Sequence, residues 1–119
     1  PDSITEIGSY VFNSNQISDL TLPSNLVSIG NSAFGYNQIS SLTFPESITQ
    51  ISDYAFLNNQ ISVLSLPSSL TTIGSQAFSS NPLTSILIKR TKEDFAANVT
   101  TGYSWYDTSN NPTITYDPE

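Results

Sequence analysis

Apolar positions recur along the chain every 22 residues. Pro1, Pro23, Pro45 and Pro67 mark the interval, and alignment on them stacks Ile4, Leu26, Ile48 and Leu70 in one column and Ile7, Ile29, Ile51 and Ile73 in the next. Further columns hold Phe12, Phe34, Phe56 and Phe78; Asn15, Asn37, Asn59 and Asn81; Ile17, Ile39, Ile61 and Leu83; Leu20, Leu42, Leu64 and Ile86; and Leu22, Phe44, Leu66 and Ile88. Leu20-Thr21-Leu22 and its equivalents alternate apolar and polar, the period of a half-buried strand, and the proline that follows ends the strand by removing a ladder donor. Ile4 and Ile7 have helical spacing, but Gly8 and the surrounding β-branched residues favour a second short extended segment. Ser32-Ala33-Phe34 predicts a single helical or 3₁₀ turn. None of these pieces buries an apolar face alone, so successive units must stack as a solenoid, with strands pairing about 4.8 Å apart in a parallel sheet.

The pattern fails after Ile88. Lys89 stands where the repeat wants Pro, Lys92 where it wants Leu, and Val99-Thr100 where it wants Ala-Phe. The chain therefore divides into four 22-residue units over 1–88 and a C-terminal capping segment over 89–119, together forming one structural domain. In that segment Thr91 and Asp94 resemble a capping box with Asp in place of Glu, which predicts a short helix over about 91 to 98 with Phe95, Ala96 and Val99 facing the last repeat. Residues 100–119 read as a loop and a strand, with Asn111-Pro112 as the turn signal and Thr113-Ile114-Thr115-Tyr116 extended.

Charge narrows the partners. The net charge is -7, and residues 1–88 carry Asp2, Glu6, Asp19, Glu46 and Asp53 with no Lys or Arg. Affinity for phosphate comes from clustered cations, so nucleic acid and anionic membranes are poor partners. Lys89, Arg90 and Lys92 are the only bases, and they are expected to neutralise nearby acids. No stretch reaches the roughly 18 apolar residues of a spanning helix, so membrane insertion is not expected. The start at Pro1-Asp2-Ser3, without Met or a signal peptide, reads as a piece of a longer protein.

Catalytic chemistry has little to work with. The chain has no His and no Cys, which removes the commonest general base and metal ligand, and no Ser has an evident activating base. Glu93 and Asp94 would need folding to meet Asp107, and Asp107-x-x-Asn110 is too short for a calcium loop. No enzyme, metal or cofactor is expected.

Asn15, Asn37, Asn59 and Asn81 are expected to form a structural ladder, because buried amides must be bonded and a side chain needed by every coil cannot be tuned to one ligand. The residues between the strand leucines point out of the sheet, so Asp19, Thr21, Ser41, Thr43, Val63, Ser65, Ser85 and Leu87 make the candidate binding face. Tyr103, Trp105 and Tyr106 form an aromatic cluster that either buries over the last coil or offers a platform for sugar rings. Asn98-Val99-Thr100 fits a glycosylation sequon, meaningful only in a eukaryotic secretory pathway.

The recurring P-x-x-[IL]-T-x-I-G-x-x-A-F-x-x-N pattern over residues 1–88 closely resembles the BspA-type leucine-rich repeats of bacterial and protozoan surface proteins. The resemblance implies a right-handed leucine-rich-repeat solenoid with the Leu20-type strands on one face, in a secreted or cell-surface protein. It also implies adhesion or binding to a host or cell-surface protein through that face. A carbohydrate-binding module using the C-terminal aromatics and a passive spacer are the alternatives. The copies here begin without an N-terminal cap, which leaves Ile4, Ile7, Phe12 and Ile17 open and predicts end-to-end self-association.

Overall fold

The computed structural model describes residues 3–118; Pro1 and Asp2, counted above in the repeat and the charge, lie outside the described residues. The chain is a leucine-rich-repeat solenoid with its strands in two stacks. One stack is a five-stranded parallel sheet of two-residue strands: β1 (Glu6–Ile7), β3 (Ser28–Ile29), β5 (Gln50–Ile51), β7 (Thr72–Ile73) and β9 (Thr100–Thr101). The other holds the Leu20-type strands β2 (Asp19–Thr21), β4 (Ser41–Thr43), β6 (Val63–Leu66), β8 (Ser85–Ile88) and β10 (Thr113–Tyr116). Pairing in the first four coils follows the sequence period, as in Glu6 with Ser28 and Ser28 with Gln50.

Between the stacks runs the core. Phe34, Phe56 and Phe78 are buried, and their ring centroids stack at 5.3 Å per coil with planes nearly parallel. Phe12 continues the column onto Phe34 at 5.3 Å but is 40% exposed, because among the described residues nothing packs on its outer side. Alongside, Leu26, Ile48 and Leu70, the Ile29, Ile51 and Ile73 column, and Ile39, Ile61 and Leu83 are all buried. Water is excluded by the stack as a whole and from no coil singly, the energetics of a repeat architecture.

The turn holding Ser32, Ala33 and Phe34 is closed by bonds from Ala33 N to Gly30 O and from Gly35 N to Ser32 O, both 3.3 Å. Ser32 has φ 55°, so the segment turns once and does not propagate as a helix. Gly30, Gly74 and Gly102 have a different constraint. A Cβ on Gly74 would run into the backbone of Ser52 and Asp53, and one on Gly102 into Gly74 and Ser75. Close approach of coil to coil, and not left-handed backbone, requires glycine there.

The Leu20-type strands do not form one sheet. β2 pairs with β4, and β6 pairs with β8 and then β10, but β4 and β6 are not paired. Pro67 has no N–H to donate across this junction, but neither does Pro45 where β2 and β4 pair, so one residue choice distinguishes the break. Phe44 stands where neighbouring coils have Leu22 or Leu66, and its ring meets Phe56 and Phe78 edge-on at 5.7 and 6.2 Å, reaching across the next two coils. Further along, Lys89 N donates to Leu66 O at 3.1 Å and Asp117 N to Ile88 O at 2.8 Å. The proline position is a donor in those coils, and β6, β8 and β10 run four residues where β2 and β4 run three.

Beyond Ile88 the coil pattern resumes with an insertion. Thr72 pairs with Thr100 and Ser85 with Thr113, a spacing of 28 in place of 22. The lengthened connection contains α1 (Lys92–Asn98), N-capped by Thr91 accepting from Asp94 N. Consequently Val99-Thr100 does not stand in for Ala-Phe: Tyr106 bridges to Phe78, so Trp105 and Tyr106 occupy those places. Phe95 of α1 lies against Trp105 and Tyr116, with centroids 6.4 and 6.2 Å away, and Val99 is buried.

Candidate functional site

The outward residues of the second stack carry the candidate site. Asp19, Thr21, Ser41, Thr43, Val63 and Ser65 are exposed, and Ser85 and Leu87 are half-buried. Their inward neighbours explain why: Leu64, Leu66, Ile86 and Ile88 fill the core, so strand alternation turns Val63, Ser65, Ser85 and Leu87 outward. Val63 is 62% exposed. Across the face the register holds Asp19 beside Ser41, Thr21 beside Thr43, Val63 beside Ser85 and Ser65 beside Leu87.

The break between β4 and β6 gives this face relief. Where the strands part there is a cleft of about 110 Å³, lined by Leu42, Thr43, Phe44, Glu46, Ser65, Pro67 and Lys89. Its lining combines the apolar Leu42, Phe44 and Pro67 with the hydroxyls of Thr43 and Ser65, the carboxylate of Glu46 and the ammonium of Lys89. Thr43 and Ser65 belong both to the cleft and to the predicted face. Glu46, Phe44 and Lys89 were not singled out for this site from the sequence; the only signal was that Phe44 and Lys89 depart from their columns.

Behind the face lies the asparagine column. Asn59 is buried; its Nδ2 donates to Phe34 O and Phe56 O, both at 3.0 Å, and its Oδ1 accepts from Ile39 N at 3.0 Å. Asn37 and Asn81 repeat the arrangement one coil either side. Asn15 differs: it is exposed, and its Nδ2 donates within its own coil to Phe12 O and Asn13 O. A second polar ladder escaped the sequence reading. Asn31 Oδ1 accepts from Asp53 N at 3.1 Å, Asp53 Oδ1 from Ser75 N at 2.8 Å, and Ser75 Oγ from Tyr103 N at 3.1 Å. The signal was a column of small acceptors, Ser9, Asn31, Asp53 and Ser75, whose chemical variety hid its common role.

The C-terminal aromatics do not form a surface platform. Trp105 is 9% exposed, edge-on to Phe78 at 6.3 Å and to Tyr106 at 4.6 Å, and Tyr106 is half-buried; only Tyr103 of the three is exposed. Trp105 replaces the small alanine of the repeat and fills the last coil, so a sugar site built on it has no accessible ring. Arg90 pairs with Asp94 at 3.0 Å and donates to Leu70 O at 3.2 Å, tying α1 to the fourth coil. The hydrogen bond from Asn98, with the charge and hydrogen bond of Arg90, holds the Asp94 carboxyl below its ordinary value, and Ser109 does the same for Asp107. The Asp94 carboxylate is bonded to Arg90 and Asn98, that of Asp107 caps the turn Thr108–Asn110, and both lie outside the strand face.

A family model described as the BspA type leucine-rich repeat region (6 copies) matches residues 1–104. The chain belongs to the BspA-type leucine-rich-repeat family. The match includes the four regular units and continues through β9 of the fifth coil. No curated protein and no solved structure is similar enough to match. BspA-type repeats are in general protein-interaction modules of surface or secreted proteins and non-enzymatic. Among the described residues no helix is long and apolar enough to cross a membrane.

Proposed function

We propose that this BspA-type module is a non-catalytic adhesion or protein-interaction element of a secreted or cell-surface bacterial protein, and that it binds a host or cell-surface protein through the second strand stack. The observation that carries the reading is the cleft between β4 and β6, lined in part by Thr43 and Ser65 of the outward strand face. An interface needs a pocket that desolvates an anchoring side chain, and a flat row of hydroxyls has none. The apolar Leu42 and Phe44 of its lining suit such an anchor, and Val63 and Leu87 extend the contact on the β6 and β8 side. Asn37, Asn59 and Asn81 act as a structural ladder, their amides being already committed to backbone groups.

Surface plasmon resonance against a panel of purified extracellular-matrix and cell-surface proteins tests this. The parent protein should bind at least one of them, and the double variant Val63→Asp, Leu87→Asp should weaken that binding at least tenfold, about 1.4 kcal/mol. Binding that the double variant leaves unchanged removes the strand face from the account. The passive-spacer reading is favoured by the scarcity of charge and of large exposed side chains on the face, and it predicts no binding to any member of the panel.

The outer side of the first coil supports a second contact, with another copy of the chain. Ile4 and Phe12 are 37% and 40% exposed. Together with Ile7, Ile17, Leu20 and Leu22 they line an apolar depression of about 180 Å³.

A further inference from the structure

The edge of the solenoid that links the five-stranded sheet to the asparagine column carries a different surface. Left-handed residues recur there at two places in the coil: Tyr10, Ser32, Tyr54, Gln76 and Ser104 at one, and Ser14, Tyr36, Asn58 and Ser80 at the other. Such backbone is unstrained for glycine and tolerable for asparagine, and a bulky side chain is an outlier in it. None of the nine is glycine, and three are tyrosine: Tyr10, Tyr36 and Tyr54, with φ of 63°, 58° and 61°. Those three rings contribute little to the core. They are 64%, 51% and 39% exposed. Neither backbone preference nor burial accounts for tyrosine at these positions, and strain at exposed sites is a pointer to function.

Backbone bonds hold these residues in place. Tyr10 N donates to Asn31 O, Tyr36 N to Leu57 O and Tyr54 N to Ser75 O, at 2.9 to 3.0 Å, so each tyrosine is tied to the coil that follows it. Tyr103, 77% exposed, accepts at its carbonyl from Gln76 N and continues the edge into the fifth coil. The step from coil to coil, 5.3 Å between core rings, is close to the length of one pyranose unit in an extended glycan. The surroundings are amides and hydroxyls: Asn13, Ser14 and Asn58 lie within four residues of the tyrosines in sequence. No Lys or Arg occurs before residue 89, so an anionic polymer finds no counter-charge here and meets Asp53. Tyrosine offers a flat apolar face and a polar tip, which complements a sugar ring with its C–H face and its hydroxyls.

We propose that Tyr10, Tyr36 and Tyr54, which stand on three successive coils at two alternating places on this edge, form a binding surface for an extended neutral polysaccharide running along the solenoid, with Tyr103 at its far end. This surface is independent of the strand face and does not use Trp105.

Linear neutral hexasaccharides of β-linked glucose, xylose and mannose, titrated calorimetrically into the full chain, test the proposal. The chain should bind at least one of them and bind a sulfated counterpart more weakly. The triple variant Tyr10→Asn, Tyr36→Asn, Tyr54→Asn should bind at least about tenfold more weakly, with its melting temperature unchanged or raised, because asparagine suits the backbone. Tyr36→Asn alone should weaken binding in the same direction and carries the test if the triple variant does not fold. The Val63→Asp, Leu87→Asp variant should bind the glycan as the parent does, which separates this site from the strand face. Absence of binding to all three sugars overturns the proposal. So does undiminished binding by the tyrosine variants, or capture of a proline-rich peptide by this surface in place of any glycan.

Discussion

Truncating Asn59 to alanine isolates the cost of one rung of the ladder. The change removes the acceptor of Ile39 N and the donor to Phe34 O and Phe56 O in the interior of the stack. Ile39 N is left without a partner, which costs about 1 to 3 kcal/mol, while Phe34 O and Phe56 O keep the amides of Asn37 and Asn81 and lose one bond each, so with water entering the small void the expected loss is about 2 to 4 kcal/mol. That is a large share of the roughly 6 to 18 kcal/mol available to a domain of this size. Asn15→Ala provides the internal control. The residue type and column are the same, but Asn15 is exposed and bonds only within its own coil, so the expected loss is below about 1 kcal/mol. Urea titration followed by circular dichroism reads both. Equal losses for the two variants would refute the reasoning, because burial and coil-to-coil bonding are all that distinguish them.

Other outcomes follow from the packing. Gly74→Ala should cost about 1 to 3 kcal/mol in the same titration, since its methyl group meets the backbone of Ser52 and Asp53. The control Ser52→Gly, in the same column, should change stability by less than about 1 kcal/mol. Sedimentation velocity should show concentration-dependent association that Phe12→Asp abolishes, and a clean monomer at high concentration contradicts an exposed first coil. The pKa of Asp94 is lowered on folding, so its contribution is present above the unfolded value and is lost as pH falls from about 4 through the folded value. Hydrogen exchange of α1 amides should accelerate in that window, and Asp94→Asn should remove the pH dependence.

Most of the architecture was legible because the columns of Phe, Ile and Leu recur at one interval, and only stacking buries them. What escaped depended on exceptions to the repeat. Phe44 departs from Leu22 and Leu66 in shape but not in polarity, and that signal alone does not announce the broken sheet and the cleft that its ring accompanies. The six extra residues in the connection that carries α1 shifted the register, which made Val99-Thr100 look like a failed Ala-Phe and hid Trp105-Tyr106 in that role. Left-handed backbone at Tyr10, Tyr36 and Tyr54 carries no glycine signature, so the exposed tyrosine edge was invisible until φ was known. On the strand face, alternation identified which residues point outward, but the cleft depends on which neighbours fail to pair, a property of two coils at once.

The chain has no cysteine, which makes cross-linking a direct test of coil stacking. In β5 and β7, Gln50 lies beside Thr72, at a strand separation of about 4.8 Å that a disulfide spans. The double variant Gln50→Cys, Thr72→Cys should oxidise quantitatively to an intramolecular disulfide and gain stability, while Gln50→Cys, Gln60→Cys should remain reduced under the same conditions. Failure of the first pair to close, or equal closure of both, would contradict a solenoid in which residues 22 apart lie side by side.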